Sequence, residues 1–503
     1  MNENVNLSAE EAFGLAIKNH QAKNFNAAIN FYNIVLKINP NHIVTLNNLG
    51  ILFRALGENQ KAKSCFEKII EINPNHVDAL NSLGVIFKIF DENQKAKSCF
   101  ERAIEINPNY ENSYNNLGNI FKELNENEKA VNCYKKVIKI NPKSTIGFNN
   151  LGIIFDQLGQ NQKAIDCYEK AITINPNHAN AHNNLGVILK KIGQNQKAID
   201  CYEKAIAINP NYVNTHNNLG IIFDELGKNQ KAKNCFETAI KLNPNYTESY
   251  WNFHGLSANI DEALLILKQL YAIDNKHTKA KIMIAALEGY KGNLSKFNEI
   301  ISSDSKHPIT RSIKWVFSLP KLPNIFFNRW LFFNAVIKLT DTTRPFYEFG
   351  VWNGISFQYL INTFKKGFGF DTFSGLPEDW HHEPKGSYSS YQGVPKIEGG
   401  EFIVGKFEDT LQGFFATERP KASLINFDAD LYSSTLCALN YSNKVIDEKT
   451  ILIFDEFLNN DNWEQDEYKA LNEFCDKVGC SYDVIAISIF TKQVAVKLKK
   501  LLK

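Results

Sequence analysis

The stretch Leu424–Thr435, LINFDADLYSST, is a short apolar run that ends abruptly in acidic residues. The stretch Ile451–Phe457, ILIFDEF, repeats this pattern. Apolar runs of this length, bounded by polar residues, are typical of buried parallel strands. In an open α/β sheet, ligands bind just beyond the carboxyl ends of the strands. We therefore expect the acids that follow the two runs to meet in one crevice.

Four carboxylates follow these strands: Asp428 and Asp430 after the first, Asp455 and Glu456 after the second. Carboxylates held close together repel one another unless a positive charge shares the space. A hard divalent cation such as Mg²⁺ is the natural candidate, because carboxylate oxygens suit such ions. The alternative is structural, with Asp430 and Ser433 capping the helix that follows.

The charge balance and the length of the chain exclude several classes of protein. The 503 residues include 56 Lys+Arg and 54 Asp+Glu, so the net charge of +2 provides no basic footprint for nucleic acid. No stretch reaches the ~18 uninterrupted apolar residues of a membrane helix. The first residues, MNENVNLSAEEAF, lack a basic region followed by an apolar core, so we expect no signal peptide and a cytoplasmic protein.

A strict 34-residue period occupies the first half of the chain. The prolines that mark it are Pro40, Pro74, Pro108, Pro142, Pro176, Pro210 and Pro244. This period, with Leu-Gly pairs and alanines in step, resembles the tetratricopeptide repeat, a pair of antiparallel helices. The resemblance implies an all-α superhelix over residues 1–290. Seven regular repeats would fill residues 8–245, and degenerate helices would continue to about 290.

Residue types within the period predict details of the packing. Small residues such as Gly50 and Ala62 would let the two helices of a repeat approach closely. The turn positions carry residues that tolerate a left-handed helix end, namely Gly57, Asp91, Asn125, Gly159, Gly193 and Gly227. The periodic cysteines are predicted to be small buried residues, since stacked helices lie roughly 10 Å apart, beyond disulfide reach.

Asparagine recurs at one position of the first helix of the repeats, at Asn48, Asn116, Asn150, Asn184 and Asn218. In the repeat family the first helices line the inner surface, so the resemblance implies a groove that binds a protein or peptide partner. The asparagines could instead bridge adjacent repeats through hydrogen bonds. The sequence leaves both interpretations open.

Residues 291–340 lose the period and are predicted to form a helical connector. Aromatic clusters at Phe326–Phe327 and Trp330–Phe333 would pack the second domain against the array, or would line a substrate pocket. Residues 341–503 then alternate strands with helices, which predicts an α/β domain.

The first predicted strand of this domain runs into a glycine turn, EFGVWNGIS, at residues 348–356. Such a turn, flanked by Gly350 and Gly354, lets the backbone approach a ligand closely. The second strand ends in Asp371, about 20 residues further on, where an acid can accept both ribose hydroxyls of a nucleoside. The turn is not GxGxxG, and S-adenosylmethionine, which has no phosphate, does not need the third glycine.

Five motifs, EFGVWNGIS, GFDTFSGLPEDW, GKFEDTL, NFDADLYSST and FDEF…NW…EY, resemble the macrocin O-methyltransferase (TylF-like) family over about residues 340–475. Members of this family are class I S-adenosylmethionine-dependent enzymes that methylate sugar hydroxyls with the assistance of a metal. The resemblance implies a Rossmann-like class I domain with a mostly parallel, seven-stranded sheet.

The resemblance also implies roles for individual residues. The cofactor-binding residues would be Glu348, Gly350, Gly354 and Ser356 for the methionine moiety, Asp371 for the ribose, and Phe373, Gly405, Phe407 and Glu408 for the adenine. Mg²⁺ would be held by Asp428, Asp455 and Glu456, with Asp430 as the general base. The family often has two aspartates where this chain has Asp455-Glu456, so Glu456 is a departure.

Three hypotheses follow for the function. The first is a Mg²⁺-dependent O-methyltransferase acting on a hydroxyl of a sugar or glycosylated acceptor, with the array recruiting a protein partner or a large acceptor. The second transfers the methyl group to a peptide or protein held by the repeats. The third is a repeat scaffold without catalysis. In both enzyme hypotheses, the loop His381–Gly399 is a predicted lid, and His381 and His382 would either assist the acceptor or be bystanders.

Overall fold

The structure, a computed structural model, describes residues 7–381, 385–387, 389 and 393–500. The chain forms two compact units, Met1–Ile188 and Leu189–Lys503. Across the described residues, no disulfide joins the nine cysteines. A search of the same residues finds no helix with the length and apolarity needed to cross a membrane.

The first unit consists of antiparallel helix pairs. Its helices are α1 (Ala9–Gln21), α2 (Phe25–Ile38), α3 (Ile43–Ala55), α4 (Asn59–Ile72), α5 (Val77–Ile89), α6 (Asn93–Ile106), α7 (Glu111–Glu123), α8 (Asn127–Ile140), α9 (Thr145–Gln157) and α10 (Asn161–Ile174). Helix α11 (Ala179–Lys191) spans the division between the units. Successive pairs share one apolar core, in which Tyr32, Phe66, Phe100 and Tyr134 are almost fully shielded from solvent.

Glycine allows the two helices of a repeat to touch. A Cβ atom added at Gly84 would lie 2.6 Å from the ring of Phe100, and one added at Gly118 would lie 2.7 Å from the ring of Tyr134. These separations are shorter than van der Waals contact, so a larger residue would push the helices apart. Ala62 is fully buried in the same core. The predicted close approach is confirmed.

The predicted left-handed turns are also confirmed. Gly57 has a φ of +77°, Asp91 of +59°, Asn125 of +56° and Gly159 of +68°. The prediction of buried periodic cysteines holds for Cys65, Cys133 and Cys167, whereas Cys99, Cys201 and Cys235 are half-buried. Burial raises the pKa of the Cys65 thiol to about 11. A thiol with this pKa stays protonated near neutral pH, and among the described residues no three His, Cys, Asp or Glu side chains are grouped to hold a metal ion.

The second unit begins with the remaining repeat helices. They are α12 (Asn195–Ile208), α13 (Val213–Glu225), α14 (Asn229–Leu242), α15 (Thr247–His254), α16 (Ile260–Ile273), α17 (Thr278–Tyr290) and α18 (Ser295–Ser303). The regular period ends with α14, and α15 has only eight residues. Helices α19 (Pro308–Ser318) and α20 (Arg329–Ile337) lead into the sheet.

The second unit also contains one mixed sheet of eight strands. The strands are β1 (Asn324–Phe326), β2 (Phe346–Phe349), β3 (Gly367–Asp371), β4 (Gly400–Val404), β5 (Leu424–Phe427), β6 (Ile451–Phe454), β7 (Cys480–Ser488) and β8 (Val494–Lys500). Their order across the sheet is β1-β7-β8-β6-β5-β2-β3-β4. Strand β8 is antiparallel to both neighbours, and all other pairs are parallel. Helices α21 (Ile355–Phe364), α22 (Phe407–Phe414), α23 (Tyr432–Ser442) and α24 (Glu467–Val478) connect the strands.

The sheet has eight strands, whereas the family resemblance implied seven. The additional strand, β1, lies in the predicted connector and pairs with β7 at the edge of the sheet. It has three residues, which is too short for an alternating pattern to identify.

Aromatic residues of the connector belong to the core, which is the packing alternative that the sequence left open. Phe332 and Phe333 are fully buried, and the ring of Trp330 lies 3.4 Å from where a Cβ atom of Gly227 would be. Further along, the ring of His254 at the end of α15 lies 4.7 Å from that of Phe490. These contacts explain why the last repeats form one compact unit with the sheet.

Candidate functional site

A cavity of about 220 Å³ lies at the carboxyl ends of β2, β5 and β6. Asp428, Asp430, Asp455 and Glu456 all line it, so the cavity brings together the four carboxylates that follow the apolar runs. They meet because β5 lies between β2 and β6 as parallel neighbours, which puts the ends of these strands at one edge.

The carboxylates of Asp428 and Asp430 accept no hydrogen bond from any described residue. Burial raises the pKa of Asp428 well above its usual range, and Asp455 raises it further. Burial likewise raises the pKa of Asp430, with a further contribution from Glu456. Asp430 does not cap α23, because Leu431 occupies the N-cap position and no side chain caps this helix.

Asp455 and Glu456 are each paired with a basic side chain. Arg329 Nη2 donates to Asp455 Oδ2 at 2.5 Å, and Gln493 Nε2 donates to Asp455 Oδ1 at 2.6 Å. Lys492 Nζ donates to Glu456 Oε2 at 2.6 Å. Sequence reasoning missed these partners because Arg329 comes from α20 and the other two from the turn between β7 and β8.

The described side chains do not fit a ready-made divalent metal site. Both oxygens of Asp455 accept hydrogen bonds from N–H donors, and Glu456 is bonded to an ammonium group. Within the described ranges, no three His, Cys, Asp or Glu side chains are grouped closely enough to hold a metal ion. Of the expected ligands, only Asp428 lacks a donor among these residues, so the metal site stays a prediction that this geometry does not support.

The glycine turn approaches the acids directly. Gly350 lines the cavity with a φ of +89°, and a Cβ atom there would lie 1.8 Å from the backbone oxygen of Asp428. No side chain can therefore occupy this position. Gly354, with a φ of +78°, is the N-cap residue of α21. Neither Gly354 nor Ser356 lines the cavity.

Asp371 lines the cavity and fixes the shape of the glycine turn. Its Oδ2 accepts from the backbone N–H groups of Val351 and Trp352, both at 2.7 Å, and its Oδ1 accepts from that of Phe373 at 2.6 Å. A carboxylate has about four lone-pair sites. Asp371 therefore keeps room for about one further donor, rather than for both hydroxyls of a ribose.

Glu348 is fully buried beneath the turn and does not line the cavity. Asn426 Nδ2 donates to its Oε1 at 2.8 Å, whereas its Oε2 has no hydrogen-bond partner among the described residues. Burial raises the pKa of Glu348 to about 8, opposed in part by the neighbouring Ser356 and Asn426. The carboxyl group is thus largely protonated at neutral pH.

The residues predicted to surround an adenine separate into two groups. Phe407 and Glu408, in the first turn of α22, line the cavity. Gly405 and Phe373 do not, and Phe373 is fully buried with its ring 6.3 Å from that of Phe402. In the predicted lid, His381 contacts Asp466 at 2.9 Å. His382 lies outside the described residues.

The asparagines of the array form hydrogen bonds between adjacent repeats. In the first unit, Nδ2 of Asn116, Asn150 and Asn184 donates to Oδ1 of Asn81, Asn115 and Asn149, at 3.0, 2.9 and 3.1 Å. Asn48 interacts with Tyr32, and Asn218 occupies the equivalent position of α13. This geometry supports the bridging interpretation, while each of the three donating amides keeps a second N–H for a partner.

The N-terminal part of the chain consists of tetratricopeptide repeats. Profiles described as "Tetratricopeptide repeat" match residues 43–76, 77–110, 99–132, 179–212 and 213–246. A profile described as "TPR repeat" matches residues 118–159 and 154–193. The repeats therefore cover most of the first 250 or so residues, as the period predicted.

Several solved structures are similar to part of the chain. MamA is 28% identical, with a TM-score of 0.31 over 32% of this chain and 95% of that chain. YrrB, described as a TPR protein with an unusual peptide-binding site, is 23% identical, with a TM-score of 0.30 over 38% and 97%. Pseudomonas aeruginosa PilF is 20% identical, with a TM-score of 0.38 over 41% and 94%. No curated protein matches the chain.

Proposed function

We propose that the repeat array is a protein- or peptide-binding scaffold and that the α/β domain is an S-adenosylmethionine-dependent O-methyltransferase. Its acceptor would be a hydroxyl of a sugar or glycosylated molecule. The repeats support the first part, because tetratricopeptide arrays present an extended concave surface of the kind that binds other proteins. The peptide-binding site described for YrrB is consistent with this use of the repeats.

The observation that carries the second part is the strand order. Counted from β2, the parallel strands β4, β3, β2, β5 and β6 lie in the order 3-2-1-4-5, which is that of nucleotide-binding doubly wound sheets. The order reverses between β2 and β5, where ligands bind in such sheets. Gly350 and Asp428 lie at that point and leave no room for a side chain between them. This supports a nucleoside-containing ligand without a pyrophosphate.

S-Adenosylmethionine would supply an electrophilic methyl group on a sulfonium. When it is bound, Asp430 would take the proton of the acceptor hydroxyl as the hydroxyl oxygen receives the methyl group, and the thioether that remains would keep the electron pair of the carbon–sulfur bond. Asp430 suits this role because it faces the cavity without a donor among the described residues and its raised pKa makes it a stronger base.

A non-catalytic scaffold is the second candidate, and specific observations favour it. The family matches cover the repeats alone. Two of the four carboxylates in the cavity are also paired with Arg329 and Lys492. Such pairing is common in purely structural clusters of charges.

Calorimetric titration of the full chain with S-adenosylmethionine separates the candidates. We expect one molecule to bind per chain, and Gly350→Ala to abolish binding because its Cβ atom collides with the backbone of Asp428. Gly413→Ala, in α22 with no atom within 4 Å of the added Cβ, is the matched control and should bind normally. No binding by the unchanged protein would leave the scaffold as the function.

The acceptor class needs a second experiment. Full chain and methyl-labelled S-adenosylmethionine are incubated with a cell extract, which is then digested with protease or with glycosidases. Label that is released as small molecules by glycosidases alone supports a sugar acceptor. Label that is released by protease alone supports methylation of a protein held by the repeats.

A further inference from the structure

Arg329 lies between two residues that are anchored on a repeat helix. Asn328 Nδ2 donates to Asp224 Oδ1 of α13 at 2.6 Å, and Trp330 Nε1 donates to the backbone oxygen of the same Asp224 at 2.7 Å. Both anchoring residues are buried, with exposed fractions of 1% and 4%. The side chain of Arg329, between them, takes no part in this pair of bonds and instead donates to Asp455 in the cavity.

The anchor also determines where α20 begins. Asn328 Oδ1 accepts from the backbone N–H groups of Trp330 at 2.9 Å and Leu331 at 3.3 Å, which caps the helix. One asparagine side chain therefore joins α20 to α13. Arg329 is the first residue of that helix, so its backbone position depends on this contact.

The acid at position 224 is not a general feature of the repeat. The equivalent positions of the other regular repeats carry His20, Arg54, Lys88, Lys122, Asp156 and Lys190. Four of these six residues are Lys or Arg, which have no acceptor for the hydrogen bond from Asn328. Asp224 thus differs from most of its equivalents at the place where the repeat contacts α20.

Arg329 and Lys492 together carry two positive charges into the acid cluster. The positive charge of Arg329 is stabilised most by Asp455, and less by Asp428 and Glu456. Lys492 bonds Glu456 and also favours the ionised form of Asp430. The positive charges of Arg329 and Lys492 therefore occupy the place in which the four acids were expected to hold a cation.

We propose that Arg329, positioned by the repeat helix α13, and Lys492 are the counter-charges of this cluster in place of a divalent metal ion. The repeats are then a structural part of the pocket as well as a binding surface. This inference rests on the proposed function for the use of the pocket, but the charge arrangement can be tested separately. A divalent ion at Asp455 would have to displace a guanidinium group that cannot lose its proton.

Titration with Mn²⁺ alone, followed by electron paramagnetic resonance, tests the charges. Mn²⁺ prefers the same oxygen ligands as Mg²⁺. We expect the full chain to have a Kd above about 1 mM, and Arg329→Gln or Lys492→Gln to bind roughly tenfold more tightly, because each removes a charge that repels the ion. Lys499→Gln, which removes a charge from an exposed pair with Asp483, should bind like the unchanged protein.

Two outcomes would overturn the proposal. The first is stoichiometric binding of Mn²⁺ by the unchanged protein with a Kd well below about 1 mM. The second is equally weak binding by the unchanged protein and both variants, since the two cations would then not be what excludes the metal. If thermal melting shows that Arg329→Gln is not folded, the same comparison is made with Lys492→Gln alone.

Asn328→Ser tests the contribution of the repeat helix. Serine still caps a helix but is too short to reach Asp224. We expect this variant to bind Mn²⁺ more tightly than the unchanged protein, by roughly threefold or more, and the double variant Asn328→Ser/Arg329→Gln to match Arg329→Gln alone. Asp200→Asn, on the exposed face of α12, is the control. If Asn328→Ser binds Mn²⁺ as weakly as the unchanged protein does, the repeat helix α13 does not position Arg329.

Titration of the same samples with S-adenosylmethionine keeps the two proposals apart. If the unchanged protein binds S-adenosylmethionine and also binds Mn²⁺ tightly, this inference fails while the proposed function stands. If it binds neither ligand and Arg329→Gln gains Mn²⁺ binding, the charge arrangement stands and the proposed enzyme function fails.

Discussion

Asp430 faces the cavity from a left-handed backbone position, with a φ of +58°, and accepts no hydrogen bond from a described residue. If it is the base, Asp430→Asn should lower labelled methyl transfer into a cell extract by about 100-fold or more. The Kd of S-adenosylmethionine from calorimetry should change by less than about threefold, because a base for the acceptor does not hold the donor. Asp409→Asn, on the exposed side of α22, is the control. Unchanged transfer in Asp430→Asn would assign the base elsewhere.

Glu348 makes stability depend on pH. Its pKa in the folded protein is about 8, against 4.5 for an ordinary glutamate. The folded state then binds the proton more tightly, so the free energy of unfolding should fall as the pH rises from about 4.5 to about 8. Glu348→Gln cannot ionise and keeps an oxygen for Asn426. At pH 8 it should be more stable than the unchanged protein by a few kcal/mol, since one pKa unit corresponds to about 1.4 kcal/mol.

Denaturant unfolding at pH 5 and pH 8 measures this difference. Glu401→Gln is the control, an exposed change on strand β4 of the same sheet. It should change the free energy of unfolding by the same amount at pH 5 and at pH 8. A Glu348→Gln variant that gains no stability between pH 5 and pH 8, relative to the unchanged protein, would contradict the raised pKa.

At the scale of the helix pair, close packing depends on single glycines. Gly84→Ala places a Cβ atom 2.6 Å from the ring of Phe100, so the array should lose about 1–3 kcal/mol of stability. Gly14→Ala, on α1 with no atom within 4 Å of the added Cβ, should be neutral or gain up to about 1 kcal/mol through helix propensity. Thermal melting of both variants gives the comparison. Equal effects would mean that propensity, and not packing, selects glycine at this position.

Elements with a local signal could be predicted from the sequence. The six turns with left-handed residues, and the buried strands β5 and β6 with their terminal acids, depend only on neighbouring residues. The position of strand β4 has no such local signal, because it lies at the sheet edge with a half-exposed pattern and directly follows the predicted lid. The partners Arg329 and Lys492 were missed because nothing near them in sequence indicates which carboxylate they contact.

At the scale of the whole molecule, the sequence boundary at residue 341 divides a single core. Phe332 and Phe333 of α20 are fully buried in the same cluster as Phe346 and Phe357 of the α/β domain. A fragment of residues 341–503 loses these side chains and strand β1. A fragment of residues 179–503 keeps them, together with the repeat helices that anchor α20.

We therefore expect residues 179–503 to melt cooperatively and to resist limited proteolysis, and residues 341–503 to aggregate or unfold. Loss of buried aromatic residues typically costs about 3–5 kcal/mol each, which approaches the whole stability of a domain. Circular dichroism during heating makes the comparison. A cooperative melt of residues 341–503 at the same temperature would show that the boundary predicted from the sequence is sufficient.

The position of β8 has a consequence for synthesis of the chain. Repeat helices contact their neighbours in sequence, so the array can fold while later residues are still being translated. Strand β8 is the last strand of the sheet in sequence, yet it lies between β6 and β7. Until residues 494–500 have left the ribosome, both neighbours have an open, apolar edge of the kind that aggregates. The α/β domain should therefore complete its fold late, and it is the part of the nascent chain with the greater need of a chaperone.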